Sequence, residues 1–334
     1  MKVVITGVGG FLGSHLADSF LAQGHTVVGI DNFLGGYKDN VPSGVELYEV
    51  DLLNLNDLRE PFQGADLVIH TACTAYEGLS VFSPSLIVAN TVQSTTNALT
   101  ASIQANVKKF VYLSSMARYG DRDGQLFTED MEPKPQDPYG IAKYSSELLV
   151  KNLCDTHGLD WVILVPHNII GPRQKYDDPY RNVASIFINR MLSGKQPIIY
   201  SDGKSKRCFS FIQDVIDPLM VACESPDAVR QIINIGPDEE HIEIRMLART
   251  IARLLDFKIE PIHMLGRPQE VKIALCSSDK ARRLLNYETK TPLEQGLQEL
   301  INYIKHRGHK DFNYHLPIEI LSDKTPTTWS QRLM

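Results

Sequence analysis

At 334 residues, 43% apolar and 22% charged, the chain has the composition of a folded globular protein, which excludes a disordered or fibrous one, and it is long enough for two lobes sharing a cleft. The formal net charge of −6 comes without any run of Lys and Arg interleaved with aromatics, so no nucleic-acid partner is expected. No apolar stretch reaches the roughly 18 residues that cross a bilayer, and the N-terminus reads as a strand and a Gly-rich turn instead of a signal peptide; no membrane partner and a cytoplasmic location are the expectation.

Short β-rich runs alternate with helical stretches through the first half. Strands are predicted at Lys2–Thr6, Thr26–Asp31, Val45–Val50, Leu67–Thr71, Phe110–Ser115 and Trp161–Val165, several almost continuously apolar, as strands buried on both faces must be. Helices fit between them: Phe11 to Gln23, Asn54 to Phe62, a long one through Ile87 to Ala105, and Pro138 to His157. Six such strands joined by right-handed crossovers make an α/β, doubly wound parallel sheet of the Rossmann-like kind. Beyond residue 166 prolines, Pro218 among them, punctuate shorter elements, which predicts a smaller mixed α/β lobe over 167–307 with some segments returning to the first domain. Residues 308–334, with Pro317 and Pro326 and little periodicity, read as an extended surface tail. The five cysteines are odd in number, spread widely and without paired spacing, so they are read as reduced, and no metal site is expected.

Strand Lys2–Thr6 runs into Gly7-Val8-Gly9-Gly10-Phe11-Leu12-Gly13, and an apolar-striped helix follows at once. Glycines let backbone N–H groups and a helix N-terminus approach a pyrophosphate. Asp31 ends the second strand, close to the ~20-residue interval at which a carboxylate meets the adenosine ribose hydroxyls. That carboxylate repels a 2′-phosphate, so the cofactor is NAD and residues 1–166 form its domain. Asp51 either contacts the adenine or caps the next helix. His70 and Ala72 end the fourth strand beside the expected groove, with His70 read as a packed residue.

Ser115 closes the fifth strand, at the carboxyl edge where ligands sit in such sheets. Tyr139 and Lys143 are four apart on a predicted helix and share a face. A free tyrosine titrates near ~10, but a neighbouring ammonium and the positive nicotinamide ring both favour its phenolate. Lys143 is therefore expected to activate Tyr139 as a general base toward a hydroxyl that Ser115 also bonds.

Taken together, Thr6 to Gly13, Asp31, Asp51-Leu52, Ser114-Ser115 before Tyr119-Gly120, and Tyr139-Gly140-Ile141-Ala142-Lys143 resemble the extended short-chain dehydrogenase/reductase family, in particular its nucleotide-sugar epimerases and dehydratases, over nearly all of residues 1–305. The resemblance implies catalytic roles for Ser115, Tyr139 and Lys143. It implies a cofactor groove made by Gly7, Gly10, Phe11, Leu12, Gly13, Asp31, Asn32, Asp51, Leu52, Ala72, Asn90, Tyr139, Lys143 and Pro166. Asn168, in Pro166-His167-Asn168, looks like the residue that contacts a substrate diphosphate, and Arg207 and Arg267 look like the two arginines delivered to it, a task suited to planar guanidinium forks. By the same likeness the chain is expected to be a homodimer.

Dehydratases of this kind place acidic residues directly after the strand-end Ser or Thr, where this chain has Met116 and Ala117, neither able to transfer a proton. The leading expectation is therefore a C4 epimerase of a UDP-hexose or close relative, acting through a transient 4-keto sugar. Two residues depart from the usual pattern. Arg118 replaces an apolar residue, and Glu77 is either an exposed loop carboxylate or an extra acid/base. A catalytic Glu77 would favour a dehydratase acting elsewhere on the ring or a 3- or 5-epimerase. A non-catalytic NAD-binding regulator is the reading from another class.

Overall fold

In the computed structural model, which describes residues 1–334, the first half builds β1 (Lys2–Thr6), β2 (Thr26–Ile30), β3 (Glu46–Tyr48), β4 (Leu67–His70), β5 (Lys109–Leu113) and β6 (Asp160–Pro166). The second half adds β7 (Asn168–Ile170), β8 (Ile198–Tyr200), β9 (Lys206–Arg207), β10 (Phe209–Phe211), β11 (Ile232–Ile235), β12 (Ile242–Glu243), β13 (Ile262–Met264) and β14 (Ile273–Ala274). The central sheet has seven strands, not six, in the order β11-β6-β5-β4-β1-β2-β3, and every pairing in it is parallel. The seventh strand comes from the half whose rhythm is broken by prolines, and it pairs with β6 from Ile232 opposite Ile163 to Ile235 opposite Pro166. The chain winds one way from β1 and the other way from β4, so a crevice opens between their carboxyl ends.

Successive residues of a strand point to opposite faces, and both faces are filled. Val3 and Ile5 of β1 pack with Leu16, Phe20 and Leu219 on one side, whereas Val4 packs with Val28, Phe110 and Val150 on the other. Helix Ile212–Glu224 lies on the first face and has Pro218 inside it, so this proline does not break an element as expected. The smaller lobe has its own core around Phe187, Ile251 and Leu300.

Helix Pro138–His157 follows from its ends. Asp137 accepts from the Gly140 amide at 2.9 Å, Pro138 takes the first helical position, and Gly158 adopts φ 72 after the last turn. The long helix expected through Ile87–Ala105 starts at Pro84 and carries a five-residue π-helical turn, Ala89–Gln93, ahead of Ser94–Gln104. Residues 55–62 form a 3-10 turn followed by one short turn of α-helix instead of a continuous helix.

The tail is extended and largely exposed, but it is pinned down at a few buried anchors. Leu316 and Trp329 are buried with Tyr76, Phe82 and Tyr180 in a fourth apolar cluster. Glu319 accepts from the free amides of Ser85 and Leu86 at 2.8 and 2.9 Å, which places a carboxylate at the positive end of the long helix. The Trp329 indole donates to the Pro179 carbonyl at 3.2 Å, and Tyr200 and Thr328 share a hydrogen bond at 2.5 Å. No helix is long and apolar enough to cross a membrane.

Candidate active site

A cavity of about 460 Å³ runs along the carboxyl edge of the sheet and between the lobes, and every residue singled out as a candidate site residue lines it. At one end the Gly-rich turn closes against the sheet. Gly7 has φ 74, and a Cβ on Gly13 would stand 2.2 Å from the Gly7 carbonyl oxygen, so only glycine lets the helix start this close to β1. Gly10 precedes helix Phe11–Ala22 without any side-chain cap, leaving the first-turn amides for an anion. Asp31 accepts from the Gly9 amide at 2.8 Å and the Phe33 amide at 2.7 Å, while burial pushes its carboxyl up from the usual range. No cation is paired with it, which suits ribose hydroxyls and not a 2′-phosphate. Asp51 does not cap the following helix: it accepts from Asn32 at 3.0 Å and from the Leu53 amide at 2.9 Å, joining two of the expected adenosine-side residues. Leu52, Ala72, Asn90 and Pro166 complete this wall, Asn90 from within the π-helical turn. The cradle, the bare helix start and the unpaired acid fit a dinucleotide.

Deeper in, Ser115 sits at the turn after β5, where its Oγ accepts from the Ala117 amide at 3.2 Å. Tyr139 comes from the first turn of helix Pro138–His157, and Lys143 from the next turn. The Lys143 ammonium lies 6.0 Å from the Tyr139 ring centre and donates to the Leu113 carbonyl at 2.8 Å. The three line one cavity, and Lys143 acts on the phenol in the expected direction. Burial dominates and drives the Tyr139 pKa well above its ordinary value; Lys143 and Ser115 pull it down without overcoming that. His70 is a packed residue, bonded to Thr6 at 2.8 Å and Thr95 at 3.0 Å, with burial pushing its pKa down to about 3.

At the far end, Glu77 is no exposed loop carboxylate. It opens a short helical turn, Glu77–Ser80, is half-buried, and faces the cleft. Burial and the nearby Asp137 raise its pKa, while Arg207 and Arg267 oppose the shift. Arg207 donates to the Val271 and Lys206 carbonyls at 2.6 and 2.9 Å, Arg267 pairs with Glu270 at 3.0 Å over the Tyr200 ring, and Asn168 donates to the Cys208 carbonyl at 3.2 Å. Arg118 is a core residue. Its guanidinium is 2.9 Å from the fully buried Glu147, which also takes the Ser114 hydroxyl, and it donates to Tyr119 at 3.1 Å. Residues that sequence reasoning missed also line the cavity: Cys73, Lys175, Arg181 and Tyr200. Arg181 stands in an aperiodic Asp177-Asp178-Pro179-Tyr180 stretch that carries no signal of a site.

The profile of the NAD dependent epimerase/dehydratase family matches residues 3–236. The chain belongs to that family. NAD is its cofactor, and nucleotide-sugar epimerases and dehydratases are its kin. A putative UDP-glucose 4-epimerase of Methanocaldococcus jannaschii is 30% identical over 92% of this chain and 99% of its own. The crystal structure of UDP-glucose 4-epimerase from Thermotoga maritima, with UDP-glucose, superposes with a TM-score of 0.86 at 29% identity, covering 92% of this chain and 99% of that one. UDP-glucuronic acid 4-epimerase from Bacillus cereus, in complex with UDP-glucuronic acid and NAD, gives 0.86 at 29% identity over 92% of this chain and 100% of that one.

Proposed function

We propose that the protein is a C4 epimerase of a nucleotide-linked hexose or close relative, working through a transient 4-keto sugar. The observation that carries this reading is that Ser115, Tyr139 and Lys143 line the same cleft as the Gly-rich turn and as Asn168, Arg207 and Arg267. Met116 and Ala117, beside Ser115, offer no acid for elimination. Bound NAD supplies reversible two-electron oxidation. Tyr139 takes the proton of the sugar 4-hydroxyl and returns it, helped by the Lys143 cation, and Ser115 holds the same oxygen in line. Arg207 and Arg267 grip the diphosphate, so the sugar can turn over while its leash stays fixed.

The test is incubation of the purified chain with a panel of nucleotide hexoses and hexuronates, followed by NMR of their anomeric protons in deuterated water. The expected result is interconversion of a C4 pair with no carbon-bound deuterium. Incorporation at C3 or C5 would overturn it in favour of a 3- or 5-epimerase or a dehydratase, a second reading favoured by the half-buried Glu77 facing the cleft. The proposal extends to a homodimer: Val88, Ile141 and Leu148 are exposed apolar residues on the long helix and on helix Pro138–His157, which pack side by side. Leu148→Glu should shift the mass in light scattering to that of one chain, and an unchanged mass would refute this interface.

A further inference from the structure

We propose that Arg181 reads a carboxylate on the reacting sugar, so that the preferred substrate is a nucleotide-linked uronic acid; this rests on the nucleotide-sugar reading above. Five cations line the cleft: Lys143, Lys175, Arg181, Arg207 and Arg267. Four of them are engaged. Lys143 donates to the Leu113 carbonyl, Lys175 pairs with Asp177 at 2.8 Å, Arg267 pairs with Glu270, and Arg207 is held by three backbone carbonyls. Arg181 has a single long hydrogen bond, to the Ala75 carbonyl at 3.4 Å, and no carboxylate within ion-pair distance. Its guanidinium lies over the Tyr76 ring, 4.9 Å from the centre, which fixes the plane without using the N–H donors. Asp178 balances its charge from a distance, but its oxygens accept from the Tyr76 hydroxyl at 2.6 Å and the Tyr180 amide at 2.9 Å, so it takes none of the guanidinium's N–H donors.

Position names the ligand's chemistry. Arg207 and Arg267 act electrostatically on Glu77, at the diphosphate end, whereas the groups that feel Arg181 are Tyr76, Asp178, Cys73 and Tyr139. A free guanidinium fork near the general base, and apart from the diphosphate arginines, faces the sugar. The N–H donors left over open into the cleft, and the planar fork matches a carboxylate in two parallel hydrogen bonds. A neutral hydroxymethyl group could accept only one of those donors in good geometry.

The test compares UDP-glucose with UDP-glucuronate on the full chain loaded with NAD, for the wild type, Arg181→Met and Arg181→Lys, with kcat/KM from NMR and Kd from calorimetry. Charge-assisted hydrogen bonds predict that Arg181→Met lowers the uronate-to-hexose ratio by about 10- to 100-fold, with Arg181→Lys restoring part of it. Equal losses on both sugars, or a wild type that prefers the neutral hexose, would overturn the assignment. If neither sugar is turned over, the epimerase reading fails while calorimetry still decides: a uronate preference in Kd that vanishes in Arg181→Met upholds the carboxylate site, and equal Kd values refute it. Thermal melts of both variants serve as the control for folding.

Discussion

The buried pair of Arg118 and Glu147 gives the sharpest quantitative expectation. Both side chains are at most 2% exposed, and Glu147 reaches from the helix carrying Tyr139 and Lys143 to Arg118 and Ser114, the neighbour of Ser115. Arg118 in turn bonds Tyr119, whose hydroxyl donates to Asn234 at 2.8 Å on β11. Glu147→Ala leaves a guanidinium in the core with only a tyrosine oxygen, and breaking such a pair from one side costs about 3–5 kcal/mol. With an unfolding entropy of roughly 2.1 cal/mol/K per residue over this chain length, and a single cooperative transition, Tm should fall by about 4–7 °C. Replacing both partners, as Arg118→Leu with Glu147→Leu, should recover most of that loss, because no charge is stranded. Calorimetric melts at pH 7 make the comparison. Turnover adds a second readout: loosening the strand end from the helix should depress kcat more than it changes KM. A single variant melting within about 1 °C of the wild type, or a double variant no more stable than the single, would refute the reasoning.

Tyr139→Phe should lose about 10²- to 10⁴-fold in kcat while still binding NAD, measured by single-turnover kinetics and cofactor fluorescence; retained turnover would remove Tyr139 from the chemistry. Lys143 pulls the Tyr139 pKa down, so Lys143→Met must push it further up. Its activity should be low at pH 7 and climb by about tenfold per pH unit on the alkaline side, and a flat profile would contradict this sign. Asp31→Ser should weaken NAD by about tenfold and narrow the preference over NADP, read by titration of both dinucleotides.

How much of this could be read from residues alone depended on whether local chemistry or distant packing set the structure. Helix Pro138–His157 was legible to both ends because its cap, its first proline and its closing glycine are all neighbours in sequence. The cofactor turn was legible for the same reason. Strand β11 is set from a distance instead: four residues between proline-bearing loops owe their place to pairing with β6, some seventy positions earlier. The π-helical turn that presents Asn90 leaves no compositional trace. The tail was legible as an extended surface segment but its anchors were not, because Leu316 and Trp329 are single apolar residues whose cavity is built by Phe82 and Tyr180. The pull of Lys143 on Tyr139 was legible from their spacing, whereas the opposing desolvation was not, because it depends on enclosure by several elements.

The last stretch of chain touches both walls of the groove. Pro317 and Glu319 hold it to Ser83, Ser85 and Leu86 on the dinucleotide side, whereas Thr328, Trp329 and Leu333 bind it to Tyr200, Pro179 and Arg190 on the other. Any widening of the groove would therefore have to stretch or break these contacts. A molecule that bridges the walls tightens the stitch from a distance, so protease resistance near Pro326 becomes a gauge of occupancy inside.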